Sequence, residues 1–76
     1  VRIVSEVEPQ EIFGRNVSRE RLRRDWTQEQ LADNAALHFT EISKLELGRR
    51  SPTLKTMLKL ARALEVELAV LVRDIH

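Results

Sequence analysis

The side chains of this 76-residue chain that could do chemistry are cationic and hydroxylic rather than nucleophilic. His38, Phe39, Thr40, Ser43 and Lys44 crowd one short stretch, Arg49 and Arg50 follow it, and Lys55 comes shortly after. Groups of this kind suit a polyanion: guanidinium and ammonium groups neutralise phosphates, and short polar side chains reach hydrogen-bonding edges. The chain has no cysteine, and its only histidines are His38 and the terminal His76, unaccompanied by an acidic cluster. No catalytic constellation, metal site or cofactor is expected from such a set. Absence of cysteine also suits a reducing cytoplasm, and no apolar run approaches a membrane span or signal-peptide core.

The net charge of +1 conceals a division along the chain. Residues 15–62 hold eleven basic and six acidic side chains, whereas the two ends together carry Arg2 and Arg73 against six acids. A basic middle between acidic ends suggests one surface facing a polyanion and another facing something else, with an ordinary solvated surface as the plain alternative.

The elements that would position these groups are helical. Ile12, Phe13, Val17 and Leu22 recur at roughly helical spacing and predict a first helix from Gln10 to Asp25. Thr27, with Gln30 three places on, forms a capping-box pattern that starts a second helix bearing Leu31, Ala32 and Ala35. Ile42 and Leu45 mark a third helix over about 38–47, which Gly48 ends by taking the left-handed conformation. Thr53 caps a fourth helix through Glu65, with Leu54, Met57, Leu58, Ala61 and Leu64 as its apolar face. Leu68 to Ile75 reads as a fifth. Val1 to Pro9 reads as a short strand or loose arm closed by Pro9, so residues 1–11 form an arm and 12–76 the domain. Phe13, Leu22, Leu31, Ile42, Leu45, Leu58, Ala61 and Leu64 are the expected core, with Trp26 packed beside the second helix's cap.

Between Thr27 and Pro52 two short helices lie about three residues apart, the spacing of a helix-turn-helix. Ala32 permits a close crossing, Leu37, Ile42 and Leu45 seat the second helix, and His38, Phe39, Thr40, Ser43, Lys44 and Leu47 remain outward. A helix presented in this way fits the major groove of DNA. His38 would lie near the phosphate backbone. Arg49 and Arg50, in the loop after the helix, and Lys55, in the next helix's first turn, are expected on phosphates. Arg15, Arg19 and Arg23 fall four apart, as a phosphate-facing ridge (Arg19 foremost) or as a solvated face. Lys44 has a local alternative in an intrahelical pair with Glu41.

The ordered text Trp26-Thr-Gln-Glu-Gln-Leu-Ala, Leu37, Ile42-Ser-Lys-Leu-Glu-Leu-Gly48 and Pro52-Thr-Leu-Lys-Thr-Met-Leu-Lys-Leu-Ala-Arg-Ala-Leu64 resembles the Xre/Cro-type helix-turn-helix regulators, over roughly residues 12–72. That family includes phage repressors, restriction-modification controller proteins and some antitoxins. The resemblance implies an all-α, five-helix bundle like the lambda-repressor DNA-binding domain. It implies a phosphate contact at Gln28, base contacts from Phe39, Thr40, Ser43 and Lys44, and an ion pair between Arg21 and Glu46. Phe39 departs from the polar residue or arginine common at its position and would pack on a thymine methyl. Ala36 and Asp25 stand where glycine is usual, at a cost in any left-handed turn.

The fifth helix is apolar from Leu68 to Val72, more than a small domain's surface helix needs. Leu68, Val70, Leu71, Val72 and Ile75 are therefore expected at a homodimer interface that places two recognition helices about 34 Å apart on a palindromic or pseudo-palindromic operator. The expected function is transcriptional regulation, as a repressor. The rivals are an antitoxin whose acidic N-terminal segment binds a toxin, and a protein-interaction domain using Phe39 and Leu47.

Overall fold

The computed structural model describes residues 7–76, and within them the chain forms five helices and no strand: α1 (Pro9–Arg23), α2 (Gln28–Ala35), α3 (Phe39–Glu46), α4 (Leu54–Leu64) and α5 (Leu68–Leu71). The expected strand or arm over Val1–Glu6 lies outside the described residues. Pro9 opens α1 instead of closing the arm. At the first helical position its missing N–H leaves nothing unsatisfied, and the backbone N–H of Glu8 donates to Glu11 Oε1 at 3.3 Å. Pro9, Gln10 and Glu11 of the expected arm thus belong to the helix.

Local signals account for the middle of the chain. Thr27 Oγ1 accepts the Gln30 N–H at 3.1 Å while Gln30 Oε1 accepts the Thr27 N–H at 2.8 Å, so the expected capping box is formed. Thr53 Oγ1 accepts from the Thr56 N–H at the head of α4. Gly48 is left-handed, with φ of 73°, and so are the non-glycine residues Asp25 and Ala36, at φ 54° and 56°.

α1 packs on α3, α4 and α5, and α2 on α3 and α4. Phe13, Val17, Leu31, Ala32, Ala35, Ile42, Leu45, Leu60, Ala61, Leu64 and Leu71 form the buried core, with Trp26 and Leu37 packed partly buried against it. Two expected core residues are outside it: Leu22 is 58% exposed and Leu58 38%. Leu22 follows Val17 by five residues, about 140° around a helix, and so faces away from the bundle. On α4 the inward stripe runs through Met57, Leu60, Ala61 and Leu64, with Leu60 wholly buried; Leu54 and Leu58 fall on its outer edge.

α5 stops at Leu71 instead of running to Ile75. The carbonyls of Leu71 and Arg73 accept from the buried side-chain amide of Asn16, each at 2.9 Å, and Asp74 turns left-handed at φ 68°. Leu71 is fully buried within one chain, so it cannot belong to an interface between copies; its short helix needs an apolar residue to hold it on the bundle, and Leu71 supplies it.

Candidate nucleic-acid interface

Only Ile42 and Leu45 of α3 are buried, so the helix is seated by one stripe and shows the rest. Thr40, Lys44 and Leu47 are exposed along an i, i+4, i+7 strip, Phe39 is exposed beside it at 47%, and Ser43 is half-buried at its margin. Of the four residues expected to face bases, Phe39, Thr40 and Lys44 are exposed and Ser43 is half-buried.

What holds α3 in place is polar and close. Glu46, in its last turn, accepts from Arg21 Nε at 2.7 Å through Oε2 and from Arg21 Nη2 at 2.9 Å through Oε1, the ion pair expected from the resemblance. Gln28 Nε2 donates to the same Oε1 at 3.0 Å, and Arg21 Nη1 donates to the Trp26 carbonyl at 2.7 Å. One carboxylate therefore ties α3 to the start of α2 and, through Arg21, to α1. Gln28, expected on a phosphate, spends one side-chain hydrogen on Glu46; its place in the first turn of α2 still puts it at the positive end of that helix's dipole.

The second anchor is a missing side chain. A Cβ at Gly14 would collide with the backbone carbonyl oxygen of Leu45 and stand 3.0 Å from that of Glu46, so α1 and α3 approach as closely as glycine allows. Gly14 and Gln28 both help to seat α3, and neither belongs to the apolar pattern that marks it in the sequence. A lone glycine inside the α1 pattern was the available signal for the first.

Cations flank the strip. Arg49, Arg50 and Lys55 are exposed, in the loop after α3 and at the start of α4. Arg50 Nη1 lies 3.9 Å from Glu41 Oε2, which folds the loop back along α3 around a recess of about 200 Å³ bounded by Glu41, Leu45, Arg50, Pro52, Thr53 and Thr56. Glu41 also accepts from the backbone N–H of His38, the exposed residue before α3. No ion pair engages Lys44 among the described residues; its expected alternative partner, Glu41, faces Arg50 instead.

Arg19 and Arg23 are turned to other work. Arg19 Nη1 donates to Asn16 Oδ1 at 3.1 Å and Arg23 Nη1 to Glu20 Oε2 at 3.4 Å, which spends part of each guanidinium within α1. Arg24, unremarked in the sequence, donates from Nη2 to the Leu64 carbonyl at 2.6 Å and so joins the ends of α1 and α4. Around α5, Leu68, Val70, Val72 and Ile75 are half-buried and keep some apolar surface in the single chain. No described helix is long and apolar enough to cross a membrane, and the described residues include no group of three or more histidine, cysteine or acidic side chains placed to hold a metal ion.

A helix-turn-helix family model matches residues 17–71. No curated protein matches the sequence. Among solved structures, the restriction-modification controller protein C.AhdI from Aeromonas hydrophila is 32% identical, with a TM-score of 0.79, the match covering 82% of this chain and 94% of that one. A hypothetical transcription factor, NHTF, from Neisseria is 28% identical over 95% of this chain and 83% of its own, with a TM-score of 0.83. The controller protein C.Esp1396I is 30% identical over 87% and 86% of the respective chains, with a TM-score of 0.79.

Proposed function

Since this chain belongs to the Xre-like helix-turn-helix family, we propose that it regulates transcription as a homodimer, acting as a cytoplasmic repressor that occupies a palindromic or pseudo-palindromic operator with α3 in the major groove. Regulators of that family bind DNA and are not enzymes. The observation that carries the reading is the exposed strip of Thr40, Lys44 and Leu47 with Phe39, on a helix fixed from behind by Glu46 and Gly14. A reading surface has to be rigid to discriminate, because each side chain must meet its base edge within hydrogen-bonding tolerance.

In this reading Lys44 and Thr40 donate to base edges, Ser43 adds a contact from the margin, and the Phe39 ring packs on a thymine methyl. Gln28, His38, Arg49, Arg50 and Lys55 meet phosphates, supplying affinity that falls with salt. Arg19 offers a phosphate the guanidinium hydrogens that Asn16 does not use. Leu68, Val70, Val72 and Ile75 meet their counterparts across the dyad. Similarity to controller proteins supports operator binding, and the domain takes in the whole of α1, from Pro9 onward.

The test is fluorescence anisotropy with random-sequence duplexes at two salt concentrations, followed by selection and sequencing of the bound fraction. The expected result is a palindrome whose half-sites lie one turn apart. Failure to bind at low salt would overturn the reading and leave Phe39 and Leu47, the latter 61% exposed, as contacts for another protein.

A further inference from the structure

The Asn16 side chain is almost wholly buried and makes three hydrogen bonds. Nδ2 donates to the Leu71 carbonyl and to the Arg73 carbonyl, both at 2.9 Å, and Oδ1 accepts from Arg19 Nη1 at 3.1 Å. Both hydrogens of one amide thus grip a segment more than fifty residues away in sequence, one on the last residue of α5 and one on the turn just after it.

α5 needs such a grip. At four residues it is far shorter than a helix that is stable by itself, and Leu71 is its only side chain in the buried core. An apolar contact fixes position without fixing angle, because burial is non-directional. Hydrogen bonds are angular, so the two from Asn16 set how α5 is turned on the bundle.

Asn16 also sits two residues from Gly14, the point at which α1 touches the backbone of α3. One turn of α1 therefore carries the seat of the recognition helix and the seat of α5. We propose that Asn16 is a positioning residue for operator recognition: by orienting α5 relative to α3 it sets the separation and rotation of the two recognition helices, and hence the half-site spacing the dimer accepts. This rests on the dimer reading above, in which α5 meets its copy. Adding one base pair between half-sites rotates one of them by about 34° around the DNA axis, so a firmly oriented α5 rejects a wrong spacing and a loose one tolerates it.

The experiment uses the full chain, its isosteric variant Asn16→Asp and the smaller Asn16→Ala. Asn16→Asp keeps the side chain's shape and the acceptor for Arg19, but replaces both donors with a carboxylate oxygen that faces the Leu71 and Arg73 carbonyls and repels them. Binding is measured on the selected palindrome, on versions with one base pair inserted or removed between half-sites, and on a duplex with a single half-site. Circular dichroism checks the fold, and sedimentation equilibrium of the native chain checks the dimer. Asn16→Asp is expected to lose about tenfold or more on the palindrome, from two lost hydrogen bonds and the repulsion that replaces them, and to discriminate less between spacings while binding the half-site within about twofold of the native chain. Asn16→Ala should do the same if it folds; if it does not, Asn16→Asp decides alone. Native spacing preference in a folded Asn16→Asp chain overturns the proposal, as does an equal loss on every duplex including the half-site, which would mark Asn16 as a general fold element. A native chain that is monomeric and indifferent to spacing refutes the dimer reading itself, and this role with it.

Discussion

Arg21 on α1 and Glu46 in the last turn of α3 meet side by side through two hydrogen bonds of 2.7 and 2.9 Å, with only 11% and 6% of their side chains exposed. Removing one partner strands the other charge, and such losses run to about 3 kcal/mol or more. Glu46→Ala, which also frees Gln28, is expected to lower unfolding free energy by about 3 kcal/mol in urea titrations. Arg21→Met combined with Glu46→Leu should be less destabilised than Glu46→Ala alone, since no buried charge then lacks a partner. A double variant as unstable as the single one would contradict that account.

Gly14→Ala places a methyl group against the Leu45 carbonyl, where neither backbone can yield without moving a helix. Overpacking of this kind costs about 1–3 kcal/mol. The lowered melting temperature should be accompanied by weaker binding to a single half-site, because the displaced element is α3. A variant that melts lower yet binds the half-site as tightly as the native chain would show that α1 moved and α3 did not.

Ala36 caps α2 with φ 56° and ψ 45°, a left-handed geometry that suits glycine better than alanine. Ala36→Gly is expected to stabilise by about 0.5 kcal/mol after the larger entropy of the unfolded glycine chain is counted, raising the melting temperature by about 2–4 °C. DNA affinity should not change, as the turn already has the required shape.

Lys44 and Arg49 should separate by role on DNA. Lys44→Ala should relax selection at one base pair of each half-site, with about tenfold less discrimination there, whereas Arg49→Ala should weaken all sequences alike and reduce the dependence of affinity on salt by about one unit of slope. Titrations over a panel of single-substitution operators at several salt concentrations check both. The same uniform loss from both changes would overturn the division between base and phosphate contacts.

Features made by near neighbours or by a strong motif were legible in the sequence. The Thr27–Gln30 cap, the left-handed Gly48 and the Arg21–Glu46 pair all stand where they were expected. Leu22 is the lone leucine of α1 and lies off its buried stripe, whereas α4 carries leucine on both sides; a stripe begun at Leu54 selects Leu58 and passes over Leu60, which the bundle buries. The end of α5 had no local signal. It is set by an asparagine on α1, and hydrogen bonds between distant segments leave no periodicity to read. For the same reason nothing in the sequence marks the hydrogen that Gln28, placed on a phosphate by the resemblance, turns back to Glu46. The outer strip of α3 was recognisable because Ile42 and Leu45 alone define which way it faces.

Asp25, Ala36, Glu65 and Asp74 all hold left-handed backbone without being glycine. Every codon for alanine, aspartate or glutamate becomes a glycine codon when its second base changes to guanine. Replacing a residue in such a conformation by glycine relieves steric crowding, most for alanine and glutamate and least for aspartate, which visits this region more readily. The route to a more stable protein therefore lies a single mutation away at Ala36 and Glu65, so this architecture leaves room for stability to rise.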